Sequence, residues 1–600
     1  MVPMTIPTSS APDTKQRYNH FLLLVAGLGG LLYGVDVGII GGALPYLEAT
    51  ARLTAGQLSI IVAAVLLGSV LSTLFAGLLA DWMGRKLLMT QSGVAFVLSI
   101  PVIALSHGYG PLFLGRLLQG ISGGLIGVVV PLYLAECLPA SNRGKGTAVF
   151  QWLLTLGIVA AAFIGIYYSY RVEAVARLAD AATLFGFKDQ AWRRIFWVSL
   201  PPGILFAVGS SFVAESPRWL FRRGRTEAAY AALLRSRSPE QADVELKEME
   251  QTALVATTQS AAGGKSADSL LQRKYVVPFL LTCTILFCNT ATGINSIIGY
   301  NTGILLESGL SDLRAHWGYV IFTMVNFLMT ILGMALVDRK GRKFLFLLGT
   351  AGIAVSLITV GLLFVQTEKH NVDLRGSIQS LVMPDQTLRL RFDAAEARRL
   401  LAINGDAGKG ISGDHATLAV IYSYGGFSAA TTFVRSDDRG AAPIEITRAS
   451  CVPSSRIEGF FKSPFASVEA ARTAPLRIER ASLGRVPNAE HGWLVAFGLY
   501  AFVAFYALGP GVCVWLALSE LMPTRIRSNG MSVALVLNQL VSTTLAAIFL
   551  PVASKYGYSK IFFLFAIFAV IYLLTVYFFL PETKGKTLEE IEEYFMAKRQ

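Results

Sequence analysis

The chain of 600 residues is 53% apolar and 15% charged, and its mean hydropathy is +0.53. A soluble protein carries about 25% charged residues, so this composition excludes a large soluble enzyme. The net charge of +13 does not indicate a nucleic-acid-binding protein, because the basic residues stand at the ends of long apolar segments.

Long apolar segments recur along most of the chain. A helix of about 20 apolar residues crosses a bilayer and satisfies its own backbone hydrogen bonds there. The sequence therefore predicts twelve membrane spans, at about residues 21–46, 58–80, 87–106, 111–135, 147–170, 194–213, 276–306, 316–337, 344–366, 492–518, 530–553 and 557–580.

Lysine and arginine are concentrated after the even-numbered spans. Arg85, Arg143, Arg342 and Arg527 follow spans 2, 4, 8 and 10. An excess of basic residues marks cytoplasmic loops, so these loops and both termini are predicted to be cytoplasmic. The five scattered cysteines suggest no disulfide framework and fit a multi-pass protein of a plasma membrane, and in particular a bacterial inner membrane.

Two loop motifs occur twice. D-x-x-G-R-K stands at 81–86 and 338–343, and E-x-x-P-x-x-x-R stands at 136–143 and 520–527. Repetition of motifs in the same order indicates an internal structural repeat. The chain is therefore predicted to contain two parallel halves of six spans each.

The second half is longer than the first. Asp81 and Glu136 are 55 positions apart, whereas Asp338 and Glu520 are 182 positions apart, so the second half has 127 additional residues. They correspond to the polar segment at 367–491, between spans 9 and 10. Since span 9 leaves the cytoplasm, this insertion is expected to be extracytoplasmic.

The insertion has the pattern of a small, β-rich globular module. Residues 388–392 and 444–447 alternate between apolar and polar, and 417–424 is a further apolar stretch. A disordered segment is the alternative. The predicted units are a first bundle at 1–213, linker helices at 214–275, spans 7–9 at 276–366, the inserted module at 367–491, spans 10–12 at 492–580 and a cytoplasmic tail at 581–600.

Several motifs together resemble the sugar porter family of the major facilitator superfamily. They are the first-span segment 29–38, Gly115-Arg116 with the segment 131–136, the linker segment 215–220, where Ala214 replaces the usual Pro, and the final segment 581–591. The resemblance implies an all-α membrane protein of two six-helix bundles, which binds its substrate midway between them and alternates access. It also implies a transporter rather than an enzyme, similar to bacterial proton-coupled sugar symporters.

Asp36, near the middle of span 1, is an acid at bilayer depth. Such a carboxylate should face a cavity or a partner, and Arg116 in span 4 is the natural partner. Burial raises a carboxylate pKa and a nearby arginine lowers it, so separating the pair would change the protonation of Asp36. We expect this pair to couple transport to protons. The alternative is a static ion pair that only fixes helix packing.

Neutral amides and hydroxyls within the spans indicate an uncharged, polyhydroxy substrate. By resemblance, Gln151, Asn295, Trp515 and Asn538 match positions that contact sugar. Asn289 and Thr290 stand where the family usually has two glutamines, and the alternative role for all these side chains is to join helices. The predicted substrate-binding residues are Gln151, Asn289, Thr290, Asn295, Tyr300, Asn326, Trp515, Asn538 and Gln539.

Charged residues at the cytoplasmic helix ends form a repeated acid–base set. A network of this kind would favour closure of the cytoplasmic side, although the positive-inside rule alone could explain the charges. The predicted cytoplasmic gate comprises Asp81, Arg85, Glu136, Arg143, Asp338, Arg342, Glu520, Arg527 and Glu582.

The sequence thus predicts a monosaccharide importer that works by proton symport. Its expected partners are a hexose or pentose, a proton and the lipid bilayer, with no nucleic acid, no metal and no cofactor beyond the coupling proton, and it is expected to be monomeric. The alternatives are a facilitative uniporter, a polyol carrier and a membrane sugar sensor.

Overall fold

The computed structural model describes residues 11–138, 140–261, 273–403, 411–522, 527–584, 590 and 594–595. Within these residues, twelve helical segments are long and apolar enough to cross a membrane. All twelve predicted spans are therefore confirmed as elements. Most of the helices extend beyond the predicted bounds because polar residues at their ends continue the same helical turns, whereas span 12 lies within its predicted bounds and span 3 ends two residues before its predicted end.

Spans 1–6 form the first half. Span 6 is broken near its middle, where Val198 and Ser199 leave the regular helix. The helices are span 1 (Ala11–Thr50), span 2 (Ala55–Met83), span 3 (Arg85–Ala104), span 4 (Tyr109–Cys137), span 5 (Ala140–Leu178) and span 6 (Ala181–Trp197 and Leu200–Phe212).

Spans 7–12 form the second half. The helices are span 7 (Arg273–Ala291 and Ile294–Glu307), span 8 (Asp312–Lys340), span 9 (Arg342–Glu368), span 10 (Ala489–Leu508 and Pro510–Leu521), span 11 (Arg527–Tyr556) and span 12 (Tyr558–Phe579). Span 7 breaks at Gly293, whose φ of 83° is left-handed and suits glycine. Span 10 breaks at Gly509, within the Gly-Pro-Gly stretch that predicts a break.

The halves pack tightly within themselves and meet chiefly along three pairs of spans. Span 1 packs along span 5 and span 2 along span 4, while span 9 packs along span 12. Across the halves, span 2 contacts span 11, span 5 contacts span 8, and span 1 contacts span 7. A Cβ at Gly34 would collide with the carbonyl oxygen of Leu154, so the close approach of spans 1 and 5 requires glycine there.

Three further helices, Pro217–Arg222, Thr226–Leu234 and Pro239–Ala261, form the linker between the halves. The fully buried Arg237 anchors them, since it donates to the carbonyl of Cys137 (2.6 Å) and to Glu245 (2.7 Å). The end of the bundle that carries these helices is called the linker end, and the opposite end is called the insertion end.

The insertion between spans 9 and 10 is a folded domain of helices and antiparallel strands. Its strands are β1 (Val372–Asp373), β2 (Leu388–Leu390), β3 (Ala416–Tyr424), β4 (Phe427–Ala430), β5 (Val434–Arg435), β6 (Ile444–Ile446) and β7 (Leu476–Arg485). Its helices are Arg375–Gln379, Ala394–Ile403, Arg456–Lys462 and Val468–Thr473. The three predicted strands are confirmed as β2, β3 and β6, and the disordered alternative is wrong for the described part of the insertion.

All strand pairs in the described part of the inserted domain are antiparallel. The larger sheet has the order β1-β7-β3-β4, with β5 also on β3, and β2 pairs with β6 separately. Strands β3 and β4 form a hairpin through Gly425-Gly426, where Gly425 has a φ of 60°. Leu418, Tyr422 and Ile478 belong to a core of its own, so the insertion folds as a domain.

Candidate functional site

Asp36 and Arg116 face each other inside the first half. The carboxylate Oδ1 lies 3.8 Å from Arg116 Nη1, and the side chains are 0% and 2% exposed. Neither oxygen of Asp36 accepts a hydrogen bond from any described residue. Arg116 instead donates to Gln119 Oε1 at 2.6 Å. Arg116 therefore acts on the acid through its charge, and among the described residues no hydrogen bond to Asp36 has to break when it takes up a proton.

Small residues of span 4 bring this helix against the acid. A Cβ at Gly123 would lie 2.8 Å from Asp36 Oδ2 and 3.2 Å from the Tyr33 ring. The Tyr33 hydroxyl lies near the side chains of Ser69 on span 2 and Gln539 on span 11. Gln539 is one of the predicted substrate residues, so this contact joins the two halves beside the acid.

Contacts between spans 7 and 11 bring together three of the predicted substrate residues. Asn538 Nδ2 donates to the carbonyl of Leu286 at 3.2 Å, and Thr290 Oγ1 lies 3.3 Å from the carbonyl of Asn538. Beyond the Gly293 break, Asn295 Nδ2 donates to Ser542 Oγ at 2.7 Å. These contacts fix the polar faces of the two spans towards each other.

Asn289 lies on span 7, one residue before Thr290. Its Nδ2 donates to the Tyr506 hydroxyl on span 10 at 3.2 Å. Its Oδ1 is buried and has no partner among the described residues. A buried amide oxygen without a partner is costly, so this atom is available to a ligand hydroxyl or to water.

The remaining predicted substrate residues are distributed more widely. Gln151 and Asn326 are half-buried on spans 5 and 8, and their side chains make no hydrogen bond within the described part of the chain. The side chain of Trp515 lies outside the described residues. The structure thus groups the residues of spans 7 and 11, while Gln151 and Asn326 stand on a separate pair of facing spans.

Tyr300 lies at the insertion end of the molecule. Its hydroxyl donates to the carbonyl of Ala546 at 3.0 Å and lies 3.2 Å from Ser59 Oγ on span 2. The ring stacks on Phe549 at 4.4 Å between centroids. Ser59 also accepts from the backbone N–H of Leu550 at 3.1 Å. In this conformation Tyr300 closes the interface between the halves.

A second set of contacts, here called the insertion-end latch, comprises Tyr46, Ser169, Asp312 and His316. Asp312 Oδ2 accepts hydrogen bonds from the Tyr46 hydroxyl (2.8 Å) and from Ser169 Oγ (2.6 Å). His316 Nε2 lies 3.1 Å from the carbonyl of Gly42, and its ring stacks on Tyr46. Asp312 and His316 belong to the second half and the others to the first, so the latch holds the halves together.

At the linker end, the first-half gate residues pair with one another. Arg85 is 2% exposed, and its guanidinium lies 2.9 Å from both Glu136 and Asp81. Glu136 also accepts from Ser216 Oγ at 2.5 Å. Glu215 accepts from the backbone N–H of Arg85 at 2.9 Å and caps span 3.

The second half repeats this arrangement. Arg342 lies 3.3 Å from Glu520, and Thr583 Oγ1 donates to Glu520 at 2.6 Å. Glu582 accepts from the backbone N–H groups of Arg342 (3.0 Å) and Lys343 (3.1 Å) and caps span 9. In this conformation the described gate residues pair within their own half. The side chains of Arg143, Asp338 and Arg527 lie outside the described residues.

Sequence reasoning missed Glu215, Ser216 and Thr583 as members of these networks. Their signal is the repeat itself, because Glu-Ser follows span 6 and Glu-Thr follows span 12. It also missed Asp312 and the rest of the insertion-end latch, which no local motif marks.

Comparison with known proteins identifies a transporter family for the helical part of the chain. The chain matches the family described as "Sugar (and other) transporter" over residues 22–383 and 481–595, which omits most of the inserted domain. It is 26% identical to the proton myo-inositol cotransporter of Homo sapiens, over 97% of this chain and 83% of that protein. It is 25% identical to the glucose transporter GlcP of Staphylococcus epidermidis, over 96% and 97%.

Among solved structures, an inward-open conformation of the xylose transporter XylE from E. coli has a TM-score of 0.62 and 20% identity, covering 95% of this chain and 98% of that one. A likeness at this identity shows a common fold. The predicted fold of two six-helix bundles with an inserted, sheet-containing module is confirmed.

Proposed function

Because the chain belongs to the sugar transporter family of the major facilitator superfamily, we propose that it imports a monosaccharide together with a proton. The protein is a multi-pass membrane transporter and not an enzyme. The proposal concerns the finer points: a hexose or pentose as substrate, a proton as the coupling ion and a monomer as the working unit.

The observation that carries the proposal is the environment of Asp36. The carboxylate is fully buried, 3.8 Å from Arg116, and it accepts no hydrogen bond from the described residues. Burial favours the protonated acid and Arg116 favours the ionised one, so a small change in their separation shifts the balance between the two forms. That is the property a proton carrier needs, since the acid must load and release a proton once in each cycle.

The sugar would bind between the halves, where Asn289, Asn295 and Asn538 present amides. The buried Asn289 Oδ1 offers an acceptor without a competing protein donor. Tyr33 and Gln539 meet across the halves beside Asp36, so substrate and proton would act on adjoining groups. Binding of the sugar and of the proton would then favour the same rearrangement of the two halves.

We propose that the insertion end faces the outside of a plasma membrane and that the linker end, with both termini, faces the cytoplasm. The basic residues after even-numbered spans support this orientation. Tyr300 and the insertion-end latch then close the outer side, and the molecule has an inward-facing arrangement. The linker-end networks would act as the cytoplasmic gate in the opposite state.

A cyclic polyol is the second candidate substrate. The human relative is a proton myo-inositol cotransporter, and this chain has Asn289 and Thr290 where the family usually has two longer amides. Shorter side chains leave more room in the cavity, which would suit a ring bearing a hydroxyl on every carbon.

Uptake into proteoliposomes with an imposed pH gradient tests the proposal. With one proton per sugar and no membrane potential, each pH unit should support about tenfold accumulation, because one unit is worth about 1.4 kcal/mol. Asp36→Asn should keep sugar exchange and lose accumulation, with exchange serving as the control for folding. Undiminished gradient-driven uptake by this variant would refute proton coupling through Asp36.

The same vesicles identify the substrate. Labelled D-glucose, D-xylose and myo-inositol should be compared in exchange, with an organic acid as the negative control. Saturable exchange of a hexose or pentose supports the first candidate, and exchange of myo-inositol alone supports the second. No saturable exchange of any of the three contradicts both.

A further inference from the structure

A cavity of about 520 Å³ lies between the inserted domain and the insertion ends of the spans. Its walls come from both halves, for example Glu48 of span 1 and Glu307 of span 7, and its roof comes from residues 431–445 of the inserted domain. A monosaccharide is smaller than this volume, so the cavity has room for one and for ordered water.

The inserted domain is tied to both halves around this cavity. Lys188 of span 6 pairs with Asp438 at 2.5 Å, and the backbone N–H of Ala442 donates to the carbonyl of Ala49 at 2.9 Å. On the other side, Arg435 donates to the carbonyl of Leu306 in span 7 at 2.9 Å. The roof therefore spans the interface between the halves, and the cavity has this form only while the insertion end is closed.

Two carboxylates stand out in the wall. Glu48 and Glu307 come from opposite halves, and both carboxyl groups line the cavity. Two cations of the wall are paired with other acids, since Arg435 binds Asp437 at 2.7 Å and Lys188 binds Asp438, while Arg439 also lines the cavity. Glu48 and Glu307 thus offer carboxyl groups that these two cations do not occupy.

The rest of the lining suits a sugar ring. Thr432, Phe433 and Tyr558 line the cavity, and the rings of Phe433 and Tyr558 lie 5.7 Å apart. Adjacent hydroxyls of a polyol donate hydrogen bonds to carboxylates, and its C–H face packs on aromatic rings. The described residues contain no group of three or more His, Cys, Asp or Glu that could hold a metal ion.

The floor of the cavity is the closed interface itself. Tyr300 and Leu550 line it, and both bind Ser59 across the halves. A solute that arrives from the insertion end reaches this cavity directly above the point where the path between the halves is shut.

We propose that this cavity is a second ligand site, which binds a polyhydroxy compound of the transported class while the insertion end is closed. The proposal rests on the proposed function for the identity of that class. A ligand that occupies only one conformation favours that conformation. High concentrations of sugar at the insertion end should therefore hold the carrier closed there and slow its return for another substrate molecule.

Equilibrium dialysis of the purified full-length protein in nanodiscs, with the sugar that it transports, counts the sites. The native protein should bind two molecules, one of them more weakly. The double variant Glu48→Gln with Glu307→Gln should weaken one site by about tenfold or more, since each substitution removes a carboxyl group that would bind a ligand hydroxyl. Glu490→Gln, an exposed acid at the same end and outside the cavity, is the matched control and should bind as the native protein does.

Uptake measurements test the consequence. Exchange by the native protein should fall at high external sugar, and the double variant should lose this inhibition while its uptake at low sugar stays unchanged. If the protein transports normally but binds only one sugar molecule, the proposed second site is wrong and the proposed function stands. Binding of Ca²⁺ or spermidine in place of sugar at Glu48 and Glu307 overturns it as well, whereas absence of all sugar binding and uptake contradicts the proposed function.

Discussion

Replacing Asp312 by alanine should open the insertion end. The carboxylate accepts hydrogen bonds from Tyr46 (2.8 Å) and Ser169 (2.6 Å), both from the opposite half. A hydrogen bond to a charged group contributes about 1.5–3 kcal/mol, and the lower value applies because the freed hydroxyls regain water. Loss of two such bonds amounts to about 3 kcal/mol, which shifts the balance between closed and open forms by roughly a hundredfold.

Spin labels at Leu178 and Arg314 can report this change. Both positions are exposed at the insertion end, Leu178 at 93%, and they belong to opposite halves. Pulsed electron paramagnetic resonance in nanodiscs should show one short distance between the two labels in the native protein and a longer distance in Asp312→Ala. Tyr46→Phe and Ser169→Ala each remove one of the two bonds and leave the acid in place, so each should produce about a tenfold shift.

The three variants separate the latch from a local effect on span 8. Asp312 stands in the first turn of that helix, where an acid is also favourable to the helix dipole. Opening in Asp312→Ala but in neither single-bond variant would assign the effect to the helix. Unchanged distances in all three variants would refute the reasoning that these bonds hold the end closed.

Three further predictions concern packing, capping and pH. Gly34→Ala should lower the thermal unfolding midpoint, because the new methyl group meets a backbone carbonyl of span 5 and overpacking costs about 1–3 kcal/mol. Gly77→Ala is the control and should leave the midpoint unchanged, because no neighbouring atom lies within 4 Å of the added methyl group. Glu582→Ala should loosen the start of span 9 by about 1 kcal/mol, measured by hydrogen exchange, and exchange as slow as in the native protein would contradict the cap. Burial raises the pKa of Asp437, but the hydrogen bond and charge of Arg435 outweigh burial and hold that pKa below its usual value of 3.8. Since the folded pKa is the lower one, the pair should stabilise the folded inserted domain fully above about pH 5 and lose that contribution as the pH falls through the lowered pKa. Limited proteolysis of the domain should therefore accelerate only in acid, and Asp437→Asn should remove this dependence.

The spans and the position of the insertion could be predicted because each has a strong local or repeated signal. Hydropathy marks the helices, and the paired motifs around Asp81 and Glu136 give the register of the repeat. Strand β7 was not predicted, although it is the longest strand of the insertion. It pairs Arg480 with Ile421 but Ile478 with Tyr422, so an irregularity at Glu479 breaks the alternation that would have revealed it.

The site was less accessible to prediction from sequence. Asp36 and Arg116 could be paired, because a charge within the membrane requires a partner. Tyr300 was predicted as a substrate residue from the polarity of span 7, yet the structure places it in the closed insertion-end interface. A polar residue on a span can face a ligand or a neighbouring helix, and only the fold distinguishes the two. The contact of Tyr46 with Asp312 joins residues 266 positions apart, and no periodic pattern in the sequence indicates it.

The inserted domain enters and leaves the bundle through neighbouring strands. Val372 of β1 pairs with Leu483 of β7, and Asp373 pairs with Ser482, so the two crossing points of the chain stand side by side. Spans 9 and 10 can therefore keep their mutual geometry whether the intervening stretch is a short turn or a complete domain. The hairpin of spans 9 and 10 can thus carry an added domain without a change in the path of either helix.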